Sequence, residues 1–332
     1  MAPRHAAISP LLALGLLALA GVILPLVTGD SYYLDVATTI VMSLLLTMSL
    51  RMQISTGQLN MAHISFMGIG AYTSALLAMR AGLSFWLTLW VGALVAAAFA
   101  VPIGAIALRL TGPYYFLITF AFSEVARLIF NNFFVGLLGG PSGLVEIPPP
   151  GPLLSVAFTG KLELYCLMLV LFLLGAAILV RLEYSRFGLA AGAIRQGELL
   201  SATLGVDVLR YKLTAFVLGS AMAGIAGAFF AHSHRVLHSS DFGLEPMVQL
   251  VIFTVIGGVG SIWGPVIGTV LMTVASELMR ELRHYETLVF GLVLILTMLF
   301  LPDGLVSVPS RLVRALARTR ARRGAIGVDV AT

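Results

Sequence analysis

Long apolar segments separated by short polar ones extend along most of this chain of 332 residues. Most approach the roughly 20 residues that a helix needs to cross the hydrocarbon core of a bilayer. They are continuous and do not alternate with polar residues, as the strands of a membrane barrel do. The segments lie at about 11–28, 34–50, 61–79, 84–108, 113–130, 163–180, 211–231, 247–258, 262–276 and 286–301. This pattern predicts an all-α polytopic membrane protein with about ten transmembrane segments.

Two neighbouring segments, 247–258 and 262–276, are each shorter than a bilayer crossing requires. They predict two broken half-helices or a re-entrant hairpin, because irregular backbone occurs at membrane depth only where protein or water covers it. Backbone groups freed in this way can bind a zwitterion, which makes the break a candidate part of a translocation pathway. A bend that only serves helix packing is the alternative. The candidate residues are Gly257, Gly258, Gly260, Ser261 and Trp263.

The composition supports a lipid environment. Charged residues make up 11% of the chain and apolar residues 59%, whereas soluble domains contain about 25% charged residues. The net charge of +5 does not indicate nucleic-acid binding, because six arginines cluster in the last 22 residues, after the final apolar segment. Such a cluster is typical of a cytoplasmic tail near anionic lipid. We therefore divide the chain into a transmembrane domain, 1–308, and a basic cytoplasmic tail, 309–332.

The distribution of positive charge predicts the orientation in the membrane. With ten crossings and both termini in the cytoplasm, 14 of the 20 Lys and Arg residues lie inside and 5 outside. A single crossing over 247–276 would place the basic tail outside. The segment 11–28 resembles a secretory signal but lacks a convincing cleavage site, so we predict that it is retained as the first helix.

The sequence offers little catalytic or metal-binding chemistry. Cys166 is the single cysteine, which excludes an internal disulfide and a multi-cysteine metal site. His234 and His238 have a spacing that would bind zinc on a helix, but their segment predicts a loop, and we predict no bound metal. A P-loop requires a lysine followed by Ser or Thr, and Lys161 and Lys212 are both followed by leucine. Energy for transport must then come from a partner or an ion gradient.

Two groups of polar residues are further candidates for a pathway. Glu124 and Arg127 lie three residues apart on one helical face, where an ion pair would either line a pore or fix helix packing. Gln58, Asn60 and His63 stand at the beginning of an apolar segment, and positions 60 and 63 are predicted to share a helical face. Hydrogen bonds between helices or a pore lining would each explain this second group.

A long cytoplasmic connection, 181–212, contains a stretch of helical composition. Residues 189–204 lack proline and place apolar side chains at three- and four-residue spacing, which predicts a short amphipathic helix. Gly205 is well placed to end it. A helix of this kind either lies on the lipid surface or inserts into a groove on a partner.

The same connection contains a family motif. The sequence Tyr184-Ser-Arg-Phe-Gly188, followed by Ala193-Ile-Arg195 and Gly205-Val-Asp207, resembles the coupling loop of LivM-type permeases, which are subunits of branched-chain amino acid ABC importers. Four further segments resemble the family in the same order, so that the resemblance extends from about residue 34 to 306. They are 57–72, 139–144, 257–265 and 301–305.

The resemblance implies a five-part importer in a bacterial cytoplasmic (inner) membrane. This chain would pair with a second, LivH-type permease, and two ABC ATPase subunits would bind ATP and Mg and dock on the coupling loop. An external (periplasmic) binding protein would deliver leucine, isoleucine or valine. The chain itself is expected to hold no cofactor and to be no enzyme. The coupling residues that the resemblance implies are Arg186, Phe187, Gly188, Arg195, Glu198, Gly205, Asp207 and Arg210.

Other functions stay open at this point. Some relatives would carry urea or short amides instead of aliphatic amino acids. An ion-driven secondary transporter would need no ATPase, but it is expected to have carboxylates at mid-membrane, where Glu124 is the single candidate. An integral membrane enzyme would need catalytic groups that converge near one interface, and the sequence indicates none.

Overall fold

The computed structural model describes residues 30–152, 158, 160–279, 286–301 and 304–307. These residues are mainly helical, and an isolated antiparallel β-bridge joins Leu144 to Leu237. The α-helices are α1 (Ser31–Ile54), α2 (His63–Ala81), α3 (Phe85–Ala107), α4 (Pro113–Asn132), α5 (Val135–Leu138), α6 (Lys161–Glu183), α7 (Arg186–Gln196), α8 (Glu198–Thr203), α9 (Val208–His234), α10 (Leu244–Gly257), α11 (Gly264–Leu278) and α12 (Glu286–Phe300).

Five of the described helices, α1, α3, α4, α6 and α9, are long and apolar enough to cross a bilayer. Helices α10, α11 and α12 contain shorter apolar stretches. The predicted all-α membrane class is therefore confirmed, and the predicted segments agree with these helices to within a few residues at each end. The predicted first segment, 11–28, and the basic tail, 309–332, lie outside the described residues.

Helix α9 is central to the first of two compact units, Met1–Val251. It packs against α1, α2 and α3, and α1 also packs against α6. The backbones of α2 and α9 approach so closely that a Cβ added at Gly70 would lie 2.4 Å from the carbonyl oxygen of Gly224. Small residues allow such contacts between membrane helices, where packing replaces the hydrophobic effect as the driving force.

The first unit has two chemically distinct ends. At one end, Arg51 of α1 donates hydrogen bonds of 2.6 and 2.8 Å to both carboxylate oxygens of Glu183, the last residue of α6. Helices α7 and α8 follow directly in the chain and lead into the beginning of α9. The opposite end contains the beginnings of α1 and α6 and the end of α9, whose residues line a common cavity. Helix α9 therefore runs antiparallel to α1 and α6.

A connecting segment is held against this opposite end by hydrogen bonds. The amide of Leu144 donates to the carbonyl oxygen of Leu237 at 2.9 Å, and Leu237 returns a bond of the same length. His232 of α9 is buried, and its Nδ1 lies 2.7 Å from the carbonyl oxygen of Pro148. Its Nε2 lies 2.9 Å from Oγ of Ser74 in α2. Since a carbonyl oxygen can only accept, Nδ1 must bear the proton.

The second unit, Ile252–Thr332, is described over the end of α10, over α11 and α12, and at 304–307. Its buried apolar side chains come from all three helices, and Val293, Leu294 and Leu305 pack against them. This core consists of Ile252, Phe253, Ile256, Met272 and Phe290.

Candidate coupling and translocation sites

The predicted coupling helix over 189–204 consists of two helices, so the prediction of a single helix is wrong. Helix α7 ends at Gln196 and α8 begins at Glu198, with Gly197 between them at φ −172° and ψ 99°. Glycine loses more conformational freedom in a helix than any other residue, which favours a break at this position. Gly205 has a φ of +85° just beyond α8 and ends the pair, as its sequence position predicts.

Three local contacts determine where α7 begins. Oγ of Ser185 accepts a hydrogen bond of 3.1 Å from the amide of Phe187 and so caps the helix. The Phe187 ring packs on Tyr211 of α9, with ring centroids 5.6 Å apart. A Cβ added at Gly188 would lie 1.9 Å from the carbonyl oxygen of Glu183, so only glycine allows α7 to turn this tightly from α6.

An ion pair joins α8 to α9. Nζ of Lys212 donates a hydrogen bond of 2.6 Å to Oε2 of Glu198. The lysine side chain is 1% exposed, and that of Glu198 is 45% exposed. Asp207 caps α9, because its side chain accepts a hydrogen bond of 3.1 Å from the amide of Arg210. Both predicted coupling acids, Glu198 and Asp207, are therefore engaged within the chain.

The predicted coupling arginines, Arg186, Arg195 and Arg210, are all exposed. The backbone of Arg195 packs against the turn after α1, where a Cβ added at Gly57 would lie 3.6 Å from its Cα. Arg210 also lines a cavity of about 530 Å³ between α7 and α9, together with Phe187 and Asp207. Of the three arginines, Arg210 therefore lies at a concave surface at the end of the helix bundle.

Exposed leucines are the feature of α7 and α8 that the sequence analysis did not single out. Their exposed fractions are between 66% and 80%. They are Leu189, Leu199, Leu200 and Leu204. The amphipathic spacing could have indicated them, since a helix with one buried face leaves the leucines of its other face uncovered. An exposed apolar patch rimmed by charge is typical of a contact surface for protein or membrane.

The polar residues before α2 are buried and hydrogen-bonded. Asn60 donates to Oε1 of Gln53 at 2.8 Å and accepts from the amide of Ala62. Nε2 of His63 lies 3.1 Å from Oγ of Ser49. The prediction that Asn60 and His63 share a helical face is wrong, because α2 begins at His63 and Asn60 lies in the preceding turn. His63 thus forms a hydrogen bond between helices, and Asn60 joins the turn before α2 to α1.

Gln58 is the third member of this group. Its Nε2 donates a hydrogen bond of 3.1 Å to the carbonyl oxygen of Leu110, just beyond α3. Its Oε1 is buried without a hydrogen-bond partner in the described part of the chain. Gln58 therefore joins the turn after α1 to the turn after α3, and it keeps one acceptor available.

The predicted pair of Glu124 and Arg127 is confirmed on α4. Nε of Arg127 donates to both carboxylate oxygens of Glu124, at 2.9 and 3.1 Å. The two side chains are 37% and 30% exposed, respectively. They lie on a face of α4 that also exposes Leu117 and Leu128. The ion pair is thus accessible at the surface of this single chain and is not enclosed in a helix interface.

The predicted break after α10 is confirmed within the second unit. Helix α10 ends at Gly257 and α11 begins at Gly264, so that 258–263 are not helical. A Cβ added at Gly257 would lie 1.9 Å from the carbonyl oxygen of Gly264, which shows how tightly the chain reverses. Gly258 has a φ of +110°, where glycine is favoured.

The other residues of the break have separate local roles. Oγ of Ser261 accepts a hydrogen bond of 3.3 Å from the amide of Trp263. Trp263 is the residue before α11, and Pro265 occupies the first turn, where proline is favoured. A Cβ added at Gly260 would meet nothing within 4 Å, so Gly260 borders open space.

No group of three His, Cys, Asp or Glu side chains in the described ranges is arranged to hold a metal ion. His234 is the last residue of α9, and His238 precedes a short 3-10 helix, Ser239–Phe242. Both are engaged locally, since Nδ1 of His234 lies 3.1 Å from Oγ of Ser233 and the amide of His238 donates to Asp241 at 2.9 Å.

Comparison with known proteins identifies the family. Residues 32–300 match the family described as branched-chain amino acid transport system / permease component. The chain is 32% identical over 296 residues to the high-affinity branched-chain amino acid transport system permease protein LivM of Escherichia coli, covering 82% of this chain and 69% of LivM. The LivM protein of Salmonella typhimurium has the same identity and coverage.

The chain is also 28% identical over 272 residues to the permease protein LivH of Escherichia coli, covering 76% of this chain and 87% of LivH. No solved structure matches the chain. The match to the family extends over most of the residues, from the start of α1 to the end of α12, and includes α7, α8 and the break after α10. The chain therefore belongs to the family of permease components of branched-chain amino acid transport systems.

Proposed function

We propose that this chain is a permease subunit of an ATP-driven ABC importer for branched-chain amino acids. It forms part of the translocation pathway and couples to separate ATPase subunits, which bind ATP and Mg. The names of the similar LivM and LivH proteins support the substrate class. The observation on which the coupling role rests is the helix pair α7–α8, which exposes four leucines beside the cations at one end of the bundle.

The physical argument for docking concerns the cost of exposed apolar surface. Each leucine side chain removed from water contributes about 1.5 to 3 kcal/mol, and an amphipathic helix that inserts into a groove recovers this energy. The neighbouring arginines add charge-assisted contacts to a partner that carries carboxylates. The cavity of about 530 Å³ between α7 and α9 would accept a side chain from the same partner.

Rigid connections would transmit movement of the ATPase subunits into the membrane. The Glu198–Lys212 pair and the Phe187–Tyr211 contact join α7 and α8 to α9. The Arg51–Glu183 pair joins the ends of α1 and α6 just before α7. Small rigid-body shifts of packed helices are an established way of passing a conformational change between subunits.

The remaining partners follow from the family. The similarity to both LivM and LivH supports a pore built from this chain and a LivH-type permease. An external binding protein would deliver the amino acid, and the complex would lie in a bacterial cytoplasmic (inner) membrane. We infer ten crossings with both termini in the cytoplasm, because that arrangement places 14 of the 20 Lys and Arg residues inside.

The candidate pathway residues fall into two sets within this proposal. The partly exposed pair of Glu124 and Arg127 offers a polar surface on a membrane helix, where charges usually face protein or water. The break at 258–263 brings non-helical backbone next to the open space that Gly260 borders, and non-helical backbone of this kind can contribute to a binding site for a zwitterion. The buried residues Gln58, Asn60 and His63 instead form hydrogen bonds with α1 and with the turns that follow α1 and α3.

The test uses the chain with a LivH-type permease, the two ATPases and the binding protein in proteoliposomes. The double variant Leu199→Ala/Leu200→Ala is expected to lower ATPase association and ATP-driven leucine uptake by about tenfold, which corresponds to about 1.4 kcal/mol. Leu94→Ala is the matched control, because Leu94 is 68% exposed on α3 and lies in a different helix. Unchanged association and uptake in the double variant would refute the docking role of α7–α8.

Two alternatives are distinguished by the same preparation. An ion-driven transporter predicts that an ionophore abolishes uptake while ATP is held constant, whereas the importer predicts that uptake persists. A permease for urea or short amides predicts that these compounds, and not leucine, isoleucine or valine, are accumulated.

A further inference from the structure

A cavity of about 270 Å³ opens at the end of the first unit opposite to α7 and α8. Three helices form it, namely α1 and α6 at their beginnings and α9 at its end. The coupling helices lie at the other ends of the same three helices. If α7 and α8 face the cytoplasm, the cavity opens on the external side. This orientation rests on the proposed function.

Each of the three helices contributes a polar residue near its end and an apolar residue farther in. The polar residues nearest the helix ends are Asp35 of α1, Lys161 of α6 and both Ser233 and His234 of α9. The apolar residues are Met42, Leu164 and Phe229, respectively. Met42 and Phe229 are buried, and Leu164 is half-buried. The cavity therefore has a polar rim and an apolar floor.

The rim combines one carboxylate and one ammonium group that already face each other. Lys161 and Asp35 form an ion pair across α6 and α1, with side chains 47% and 57% exposed. Ion pairs that are this accessible to water contribute little to stability. A ligand that carries both charges can therefore replace the pair at little cost, with its carboxylate on Lys161 and its ammonium on Asp35.

Hydroxyl groups complete the rim as acceptors. Oγ1 of Thr38 donates its proton to the carbonyl oxygen of Leu34 at 2.7 Å, and Oγ1 of Thr39 donates to that of Asp35 at 3.0 Å. Both threonines line the cavity, and their oxygens retain lone pairs that can accept a hydrogen bond. An ammonium group presents donors only, so this arrangement complements an ammonium and not a second carboxylate.

We infer that this cavity is an external subsite for a small zwitterion with an aliphatic side chain, that is, for the free amino acid before it enters the pathway. The apolar floor accepts the aliphatic side chain and the rim accepts the two charges. The volume is below the range of about 300 to 1,000 Å³ that drug-sized ligands need, which restricts the site to a small molecule.

The test is photolabelling of the full-length chain in phosphatidylglycerol nanodiscs with a diazirine analogue of leucine, followed by mass spectrometry. Labelling is expected on the peptides that contain Met42, Leu164 and Phe229. Leucine in excess should remove it, whereas 4-methylpentanoate and 3-methylbutylamine, which each lack one charge, should not. Competition by either single-charge compound as strong as that by leucine would overturn the zwitterion assignment.

Variants provide the second arm. Asp35→Asn and Lys161→Gln are each expected to lower leucine-competed labelling at least fivefold. Arg235→Gln, which removes an exposed cation next to α9 but outside the cavity lining, should leave it unchanged. Equal labelling in all variants would overturn the proposal. Competition by glycerophosphoethanolamine as strong as that by leucine would also overturn it, because that result would assign the cavity to a lipid headgroup.

This experiment is independent of ATP and of partner subunits. If the cavity is labelled in a chain that supports no ATP-driven uptake, the proposed subsite stands and the proposed importer function is refuted. If ATP-driven uptake occurs without labelling that leucine competes for, the proposed importer function stands and the proposed subsite is refuted.

Discussion

Nζ of Lys212 lies 2.6 Å from Oε2 of Glu198, although the two side chains differ sharply in exposure, at 1% and 45%. Lys212 lies on α9 with its side chain buried, and Glu198 is the first residue of α8. A buried ammonium needs a counter-charge, and here that charge comes from the helix that we propose contacts the ATPase. The pair therefore fixes the proposed docking element to a helix that is long and apolar enough to cross a membrane.

This asymmetry predicts that Glu198→Gln destabilises the protein more than Lys212→Met. The first change leaves an enclosed ammonium without its carboxylate, which costs about 1 to 3 kcal/mol. The second change removes the buried charge and keeps a flexible apolar chain of similar length, and the carboxylate that it leaves unpaired is 45% exposed and therefore stays hydrated. Thermal unfolding of the purified protein in detergent measures both. A larger loss for Lys212→Met would contradict the prediction.

The entry into α7 depends on the absence of a side chain at position 188. Gly188→Ala is expected to destabilise the protein by about 1 to 3 kcal/mol, because its Cβ would lie 1.9 Å from the carbonyl oxygen of Glu183. It should also uncouple ATP hydrolysis from uptake by displacing α7. The measurements are thermal unfolding and the ratio of leucine imported to ATP hydrolysed.

Gly192→Ala is the matched control on the same helix. A Cβ at Gly192 would meet nothing within 4 Å, and alanine is favoured over glycine in a helix by about 0.8 to 1 kcal/mol. We therefore expect a small gain in stability and unchanged coupling. Equal behaviour of the two variants would show that helix propensity, and not the contact with Glu183, decides their effect.

The reversal between α10 and α11 makes a similar prediction within the second unit. Gly257→Ala is expected to disrupt the break, since its Cβ would lie 1.9 Å from the carbonyl oxygen of Gly264. Gly291→Ala on α12 is the control, because a Cβ there meets nothing within 4 Å. Limited proteolysis and the yield of folded protein report on both. A normal yield of Gly257→Ala would show that the two helices can separate.

Substitution of His232 is expected to destabilise locally the segment before α6. His232→Phe removes the hydrogen bond to the carbonyl oxygen of Pro148, which contributes about 0.5 to 1.5 kcal/mol. Amide hydrogen exchange at Leu144 and Ile147, whose amides donate to Leu237 and Arg235, should then become several-fold faster.

His232→Gln tests the same link with a conservative change. The glutamine amide keeps a donor for the carbonyl oxygen of Pro148 and should restore most of the protection at Leu144. Equal exchange rates in the Phe and Gln variants would show that the ring packing of His232 on Phe85, and not the hydrogen bond, holds the segment.

The features that sequence patterns predicted well are local in the chain. Continuous apolar runs indicate helices because every backbone polar group in a bilayer must be satisfied within its own segment. The pairing of Glu124 with Arg127 follows from helical spacing. The break after α10 follows from the glycines between two short runs. Each of these inferences needs only a few neighbouring residues.

Local patterns were insufficient where competing conformations have similar energies. The composition of 189–204 is helical throughout, yet Gly197 interrupts it, because the penalty for glycine in a helix is only about 1 kcal/mol and tertiary contacts decide the outcome. Asn60 was placed on a helix that begins only at His63, since its side chain bonds to Gln53 and Ala62 instead. Asparagine favours such bonds over helix interiors.

The sequence by itself determined the number and type of apolar helices that the described residues contain. It also contains the family motif that lies between α6 and α9. Tertiary structure alone decided which distant residues meet. Arg51 and Glu183 are 132 residues apart in the chain, and Asp35 and Lys161 are 126 apart. Hydrophobic periodicity selects the face that a helix buries, but it contains no information on which helix ends come together. Those ends form both the surface that we propose for docking and the cavity between α1, α6 and α9.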